Sequence, residues 1–534
     1  MDGKKFSLDF KTIKRDVLRH WPIWVSASVV YLLSVCFTHI IERSSVRSVS
    51  VREAIGYDVG VSLALTTDFL AFIMGLVAAI AAFGFLTSKK KDYFFETLPF
   101  NKLSLFLNRF IFGFILCMIP CFFITVVEVL QVLIQGRGAH LYIVFEWLFT
   151  AVCIYLFWYA FAVIFLVMCG RIVMAGFCYF GFSFAGLVIS LILEITNMLY
   201  FVGVNSGTGL GYSVFGILSP LDYTFSIGLD SVGNLSDYDF PEWHMVSSDT
   251  IGKLMIILCV GIALVCVSLL LFKKRRSEKT GDTFVFSWMK TVFCYALTFV
   301  TSVVLALILV VMIIYTDDGM AHRVSDRIGT LIILCIVGFI LFIGSIMIVE
   351  KKFKVFTSKN MLKALIFTIV LGLVGFGYMH DLFNIEGYVP KAGNVNKVVV
   401  NNNDLLFPDK KKHLEITDNE VKEKIIELHE LILDNMDDLL EGYNGGLSSN
   451  NGNSSSNGFI STSLVDLRDT KKHDHYTVYL SYDFKNGDKV SRSYLVYVDS
   501  ALDNKIQAFL DKNRDLFNSK LEDKNKTEEI SLDY

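Results

Sequence analysis

The chain lacks the devices of an enzyme that handles nucleotides. Neither GxxxxGK[ST] nor a GxGxxG behind a strand occurs in its 534 residues. HExxH and GxSxG are missing too, as is any Cys/His set with metal-ligand spacing. The two histidines of KKHDH (471–475) stand in a polar stretch before a strand and read as a solvated turn. A disulfide framework is excluded as well. The ten cysteines (36, 117, 121, 153, 169, 178, 259, 266, 294 and 335) form no CxxC pair, and none lies in the polar C-terminal part. They read as small apolar packing residues. Strong charge of one sign is also missing: a net charge of -3 gives no field to attract nucleic acid. No catalytic, cofactor or metal site within this chain is expected.

What the chain has is apolar length. It is 53% hydrophobic and 14% aromatic, with mean hydropathy +0.52. Soluble proteins average about 45–50% apolar even with glycine counted. Several runs exceed the roughly 18 apolar residues of a membrane-spanning helix. About nine spans are expected, near 22–42, 62–87, 110–135, 142–168, 172–203, 253–272, 290–315, 328–349 and 361–379. Backbone inside lipid must satisfy its own hydrogen bonds, so these are helices. The first twenty residues are broken by charges throughout and do not read as a secretory signal.

Lysine and arginine set the expected orientation. With the N-terminus cytoplasmic, the inner segments hold 23 such residues and the outer loops 6 (Arg43, Arg47, Arg52, Arg137, Arg323 and Arg327). An odd number of spans then puts residues 384–534 outside the cell. Residues 1–20 read as an amphipathic helix on the inner membrane surface. Phe6, Phe10, Ile13 and Val17 form one stripe, and Lys11, Lys14, Arg15 and Arg19 lie off it.

The outer region reads as a small α+β domain. TDNEVKEKIIELHELILDNMDDLLEG opens on a capping box, Thr417 to Glu420, and carries Val421, Ile425, Leu428 and Ile432 on one face. A Gly/Ser/Asn-rich loop covers 445–458. Two alternating strands then flank the Asn486-Gly487 turn, and a last helix follows from about Asp503.

Between spans two and three stands SKKKDYFFETLPFNK (88–102). DYFFET forms one short helix, and Pro99 cannot continue it. Leu103, Phe106, Leu107 and Phe110 then start a new stripe. The turn is a structured knob with aromatics facing the cytosol. It is either a docking surface or a set of phenylalanines (94, 95 and 100) dipping into the headgroups.

This stretch resembles a known family. ETLPFNKLSLFLNRF (96–110) looks like the SLP-x-(K/R)-x-x-(L/F) segment of permease subunits of ATP-binding-cassette (ABC) exporters, those with six-helix permeases of the type V exporter fold. KKRRSEKTGDTF (273–284), after span six, resembles the RRxSExAG ending of the same permeases, with Thr280 where alanine is usual. The order of surface helix, two spans, knob, three spans, long outer loop (204–252) and sixth span is similar too. That loop sits where the family has re-entrant segments.

The likeness covers about 1–285. It implies a surface helix (1–20), a six-helix core (21–285), three additional helices (286–380) and the outer domain (384–534). The last two look like the extension of larger Gram-positive permeases. It further implies that Phe94, Phe95, Glu96, Leu98 and Pro99 form the coupling helix that docks in a groove of a separate ATPase subunit. Arg276, Ser277, Glu278 and Gly281 carry the second motif. ATP and Mg would be bound by that ATPase partner, and a second permease copy or a paired permease would complete the path in the plasma membrane.

Four acids interrupt spans two to five: Asp68, Glu128, Glu146 and Glu194. At about 1.5 Å per residue, Glu128 lies about 27 Å above the inner end of span three, and Glu194 about 33 Å above the start of span five. All four fall in the outer half. They are either hydrated interfacial groups or an acidic outer vestibule that helps a cationic substrate leave.

The export reading has two rivals. One is an ATP-independent membrane sensor whose outer domain binds a ligand. The other is a secondary transporter, opposed by acids near the outer face and by the lack of inverted repeats of broken helices.

Overall fold

The computed structural model describes residues 9–45, 53–97, 101–134, 141–204, 219–236, 246, 248–314, 324–350, 353, 355–382, 384–401, 413–436, 475–485, 489–498 and 500–517. The chain packs as two compact units. The first holds residues 1–187 and 217–295, the second 188–216 and 296–534.

The first unit starts with α1 (Phe10–Arg19), which Asp9 caps by accepting from the Lys11 and Thr12 amides. Ile13 and Val17 are buried as the stripe requires, whereas Phe10 is exposed. Then come α2 (Trp21–Ser45), α3 (Glu53–Phe83), a 3-10 turn (Gly84–Thr87), α4 (Lys89–Thr97), α5 (Lys102–Ile134), α6 (Leu141–Met168) and α7 (Ile172–Tyr200). α8 (Pro220–Ser236) lies within the expected loop and packs on α3. α9 (Ser248–Lys274) packs on α6. α6 is apolar all round and forms the centre of the unit, with Trp147, Tyr155, Trp158 and Tyr159 fully buried. Helices α3, α5 and α9 surround it.

The second unit takes α7 from Val188 onward, α10 (Ser287–Ile314) from Ala296, α11 (Val324–Glu350) and α12 (Ser358–Met379). Among the described residues, eight helices are long and apolar enough to cross a membrane: α3, α5, α6, α7 and α9 to α12. The chain is therefore a polytopic helical membrane protein. The first of the nine expected spans falls in α2, whose described apolar stretch is the shorter Trp21–Cys36.

Beyond α12 the second unit carries the small domain. It contains β1 (Val395–Asn401), β2 (His413–Ile416), α13 (Asn419–Asp434), β3 (His475–Phe484), β4 (Lys489–Tyr497) and α14 (Ala501–Lys512). The strands form one antiparallel sheet in the order β2-β1-β3-β4. The expected hairpin is the β3–β4 pair, with Asn486-Gly487 outside the described residues. Two strands are present that the sequence reading did not anticipate, β1 and β2. Alternate residues of the sheet (Val398, Val400, Val478, Leu480) face Val421, Ile425, Leu428 and Ile432 of α13. The cap of α13 is Asp418 and not Thr417, since the helix starts one residue later and the Asp418 carboxylate accepts from the Glu420 and Val421 amides.

The tail of α7 is part of this domain. Val202 lies in its apolar core. The Val202 amide donates to Glu386 Oε1 at 3.0 Å, and the Ser493 amide donates to the Gly203 carbonyl at 3.0 Å. Gly203 has φ 76°, and its α-carbon abuts the Tyr494 ring, so a side chain is doubly disfavoured there.

Candidate functional site

α4 has two faces. Asp92 and Phe95, one turn apart, point inward; Asp92 is buried and Phe95 half-buried. Tyr93 and Phe94 point outward, 52% and 61% exposed. Lys89, Lys90 and Lys91 are exposed. The helix runs one turn further back than DYFFET because the Asp92 amide bonds the Ser88 carbonyl at 2.9 Å.

The inner face is locked at two points. The Phe95 ring centre lies 4.3 Å from that of Phe85, and the Arg109 guanidinium stands 4.7 Å from the Phe95 ring centre and 6.0 Å from that of Phe85. Arg109 also pairs with Asp16 of α1 at 3.0 Å. At the second point, the Thr280 hydroxyl donates to Asp92 Oδ2 at 2.5 Å. The α4 segment and the motif after α9 are thus brought together.

That motif is itself well anchored. Arg275, buried, donates to the carbonyls of Leu86 (2.6 Å), Val167 (2.5 Å) and Cys169 (3.2 Å). One guanidinium, just past the end of α9, so ties the 3-10 turn after α3 to the end of α6. Burial lowers its pKa, and the charge of Asp92 opposes that fall. A 3-10 turn follows at Ser277–Lys279. Beyond it the chain pairs with the α6–α7 turn: Gly281 N to Gly170 O at 3.0 Å, Val285 N to Met168 O at 2.9 Å, and Arg171 Nε to Gly281 O at 2.8 Å. Gly281 has φ 96°, which glycine adopts without strain.

The expected site residues therefore divide. Phe94 is exposed and Phe95 packed inward. Glu96 lies on α4, and Leu98 and Pro99 fall outside the described residues. Arg276 and Glu278 are exposed and Ser277 half-buried. The residues that join the two motifs are Asp92, Arg109, Arg275 and Thr280. In KKRR all four cations look equally solvated, so sequence alone does not single out Arg275. Thr280 was visible only as a departure from the family pattern.

The four acids occupy separate places. Asp68 is buried on α3, and neither carboxyl oxygen has a hydrogen-bond partner among the described residues. It lies against Gly228 of α8, where a Cβ would come within 2.3 Å of Oδ2. Glu128 is buried on α5, Glu146 is half-buried on α6, and Glu194 is half-buried on the part of α7 that belongs to the second unit. Next to Asp68, a buried polar cluster went unnoticed in the sequence. The Thr67 hydroxyl accepts from Trp147 Nε1 (2.9 Å) and Tyr31 Oη (3.3 Å), and Tyr31 lies 3.0 Å from Tyr155 Oη.

No model of a known protein family matches the chain, and no curated protein matches it.

Proposed function

We propose that this chain is the membrane-spanning permease subunit of an ABC exporter. The observation that carries the proposal is the two-faced α4. Tyr93 and Phe94 are presented outward while Asp92 and Phe95 are fixed to three other segments. Exposed aromatics on a rigid mount are what a partner's groove would grip. In this reading α4 faces the cytosol, and a separate ATPase subunit binds ATP and Mg and hydrolyses ATP. Its closure displaces α4. The push reaches α5 and α1 through Phe95, Arg109 and Asp16, and the ends of α6 and α9 through Asp92, Thr280 and Arg275. A second permease copy or a paired permease completes the path, and the small domain lies outside the cell. A drug, an antimicrobial peptide, a lipid or a glycan is the cargo class. Asp68, Glu128 and Glu146 would each lend an acidic group to the outer half of the first unit for a cationic cargo.

The test exchanges Tyr93 and Phe94 for serine together and keeps Phe95, because Phe95 holds the fold. The double variant is expected to insert at normal levels, to lose co-purification with its ATPase, and to lose stimulation of ATP hydrolysis. Retention of both would overturn the proposal. The rival reading, an ATP-independent sensor, draws on the hydrogen bonds that join the small domain to the tail of α7. It requires that no ATPase co-purifies with the unaltered chain.

A further inference from the structure

Within the second unit, α7, α10, α11 and α12 leave a cavity of about 130 Å³. Its walls are aliphatic, with Leu193, Val303, Leu307, Leu334 and Leu371 from the four helices. No ionic side chain lines it. Its polar residues are Thr196, Thr330 and Tyr378, and the Tyr378 hydroxyl bonds Asn197 Oδ1. That bonded pair lies where α7 and α12 end, beside the small domain.

The cavity has a measurable depth. Its lining residues run over Ile189–Thr196, Phe299–Leu307, Thr330–Leu334 and Leu371–Met379, about 6–12 Å along each helix. One leaflet of hydrocarbon is about 15 Å deep, half of a core of about 30 Å. The cavity is half open, and apolar side chains on the same helices (Ile195, Ile332, Val370) are exposed.

We propose that this cavity holds a segment of one acyl chain of a bilayer phospholipid, in the leaflet next to the small domain. Four observations select that occupant. The wall offers no charge to select a scarce headgroup. A peptide would bring backbone groups that this wall cannot satisfy. The extent of the lining along the helices, about 6–12 Å, fits inside one leaflet. An apolar cavity of about 150 Å³ accepts benzene, so about 130 Å³ encloses only a few carbons, and the rest of the chain runs out through the open side. An empty gap would forfeit dispersion contacts on every wall. The proposal needs only that these helices cross a bilayer, so it stands apart from the export reading.

The test uses the full chain in nanodiscs of phosphatidylcholine carrying a mid-chain diazirine. After irradiation, adducts are mapped by mass spectrometry. Adducts are expected on Leu193, Val303 and Leu371, as well as on Ile366 and Leu373, which are 52% and 66% exposed on α12. Ala306→Phe, which fills the cavity, should cut the first set at least fivefold and leave the second unchanged. Leu334→Phe, from another wall, should do the same, so that misfolding of one variant does not decide the outcome. Label confined to Ile366 and Leu373 overturns the proposal. So does label on the lining residues that neither variant reduces, or a cross-link between two protein copies at these positions.

Discussion

Thr280 is where this chain departs from the permease pattern, and it is the residue that bonds Asp92. Alanine there would remove one partner of a buried carboxyl group, a loss of about 1–3 kcal/mol. Thr280→Ala should lower the melting temperature of the purified chain and loosen α4, whereas Thr280→Ser should do neither. Equal melting of all three proteins would show that the bond contributes nothing. Asp68 leads to an opposite expectation. Its buried oxygens lack partners among the described residues, so Asp68→Ala should raise stability by about 1–3 kcal/mol. Gly228→Ala should destabilise the chain, because its Cβ meets that carboxyl, and the loss should shrink once Asp68 is alanine. Strict additivity in this double-mutant cycle would mean that the two residues do not touch. Neither contact was visible in the sequence, which shows a residue's type but not the carbonyls or α-carbons brought to it from a hundred residues away.

At the scale of elements, the pH response of the small domain can be stated. His429 is buried, with Nε2 2.8 Å from Tyr494 Oη and Nδ1 3.1 Å from Tyr482 Oη. Burial, and then the charge of Arg492, lower its pKa to about 3. The unfolded value is about 6.5. Because the folded value is the lower one, the contribution is intact above pH 6.5 and is lost as pH falls toward 3, at about 1.4 kcal/mol per unit. Pulse proteolysis in urea should show the domain's midpoint falling between pH 6.5 and 4. His429→Gln should have a flatter profile; a parallel profile would assign the acid response to other groups. The long elements were legible because runs of twenty apolar residues leave few alternatives, and α4 was legible from its aromatics and the following Pro99. β1 and β2 were not. VNKVVVN is apolar without a clear period, and HLEI is four residues of edge strand, held by its pairing with β1 more than by its own pattern.

For the whole molecule, sidedness is the testable statement. The bias of 23 inner to 6 outer Lys and Arg leads to the expectation that Glu278 is inside and Ser454 outside. A membrane-impermeant maleimide on intact cells should label Ser454→Cys and leave Glu278→Cys untouched until the cells are opened. Labelling of Glu278→Cys from outside would overturn that expectation and, with it, the proposed cytosolic position of α4.

The joint at Gly203 has a consequence for biogenesis. The domain seen here is complete only with residues 202–204, which enter its core and its hydrogen bonding from far upstream of Ser493. Its closure must therefore wait for α7 to be threaded with its tail on the side where the sheet forms. A chain with α7 reversed, or retained in the translocation machinery, would leave Glu386 and the Ser493 amide without these partners and a gap at the place of Val202. Protease resistance of the small domain is therefore expected to depend on α7 having been inserted with its tail on the domain's side of the membrane.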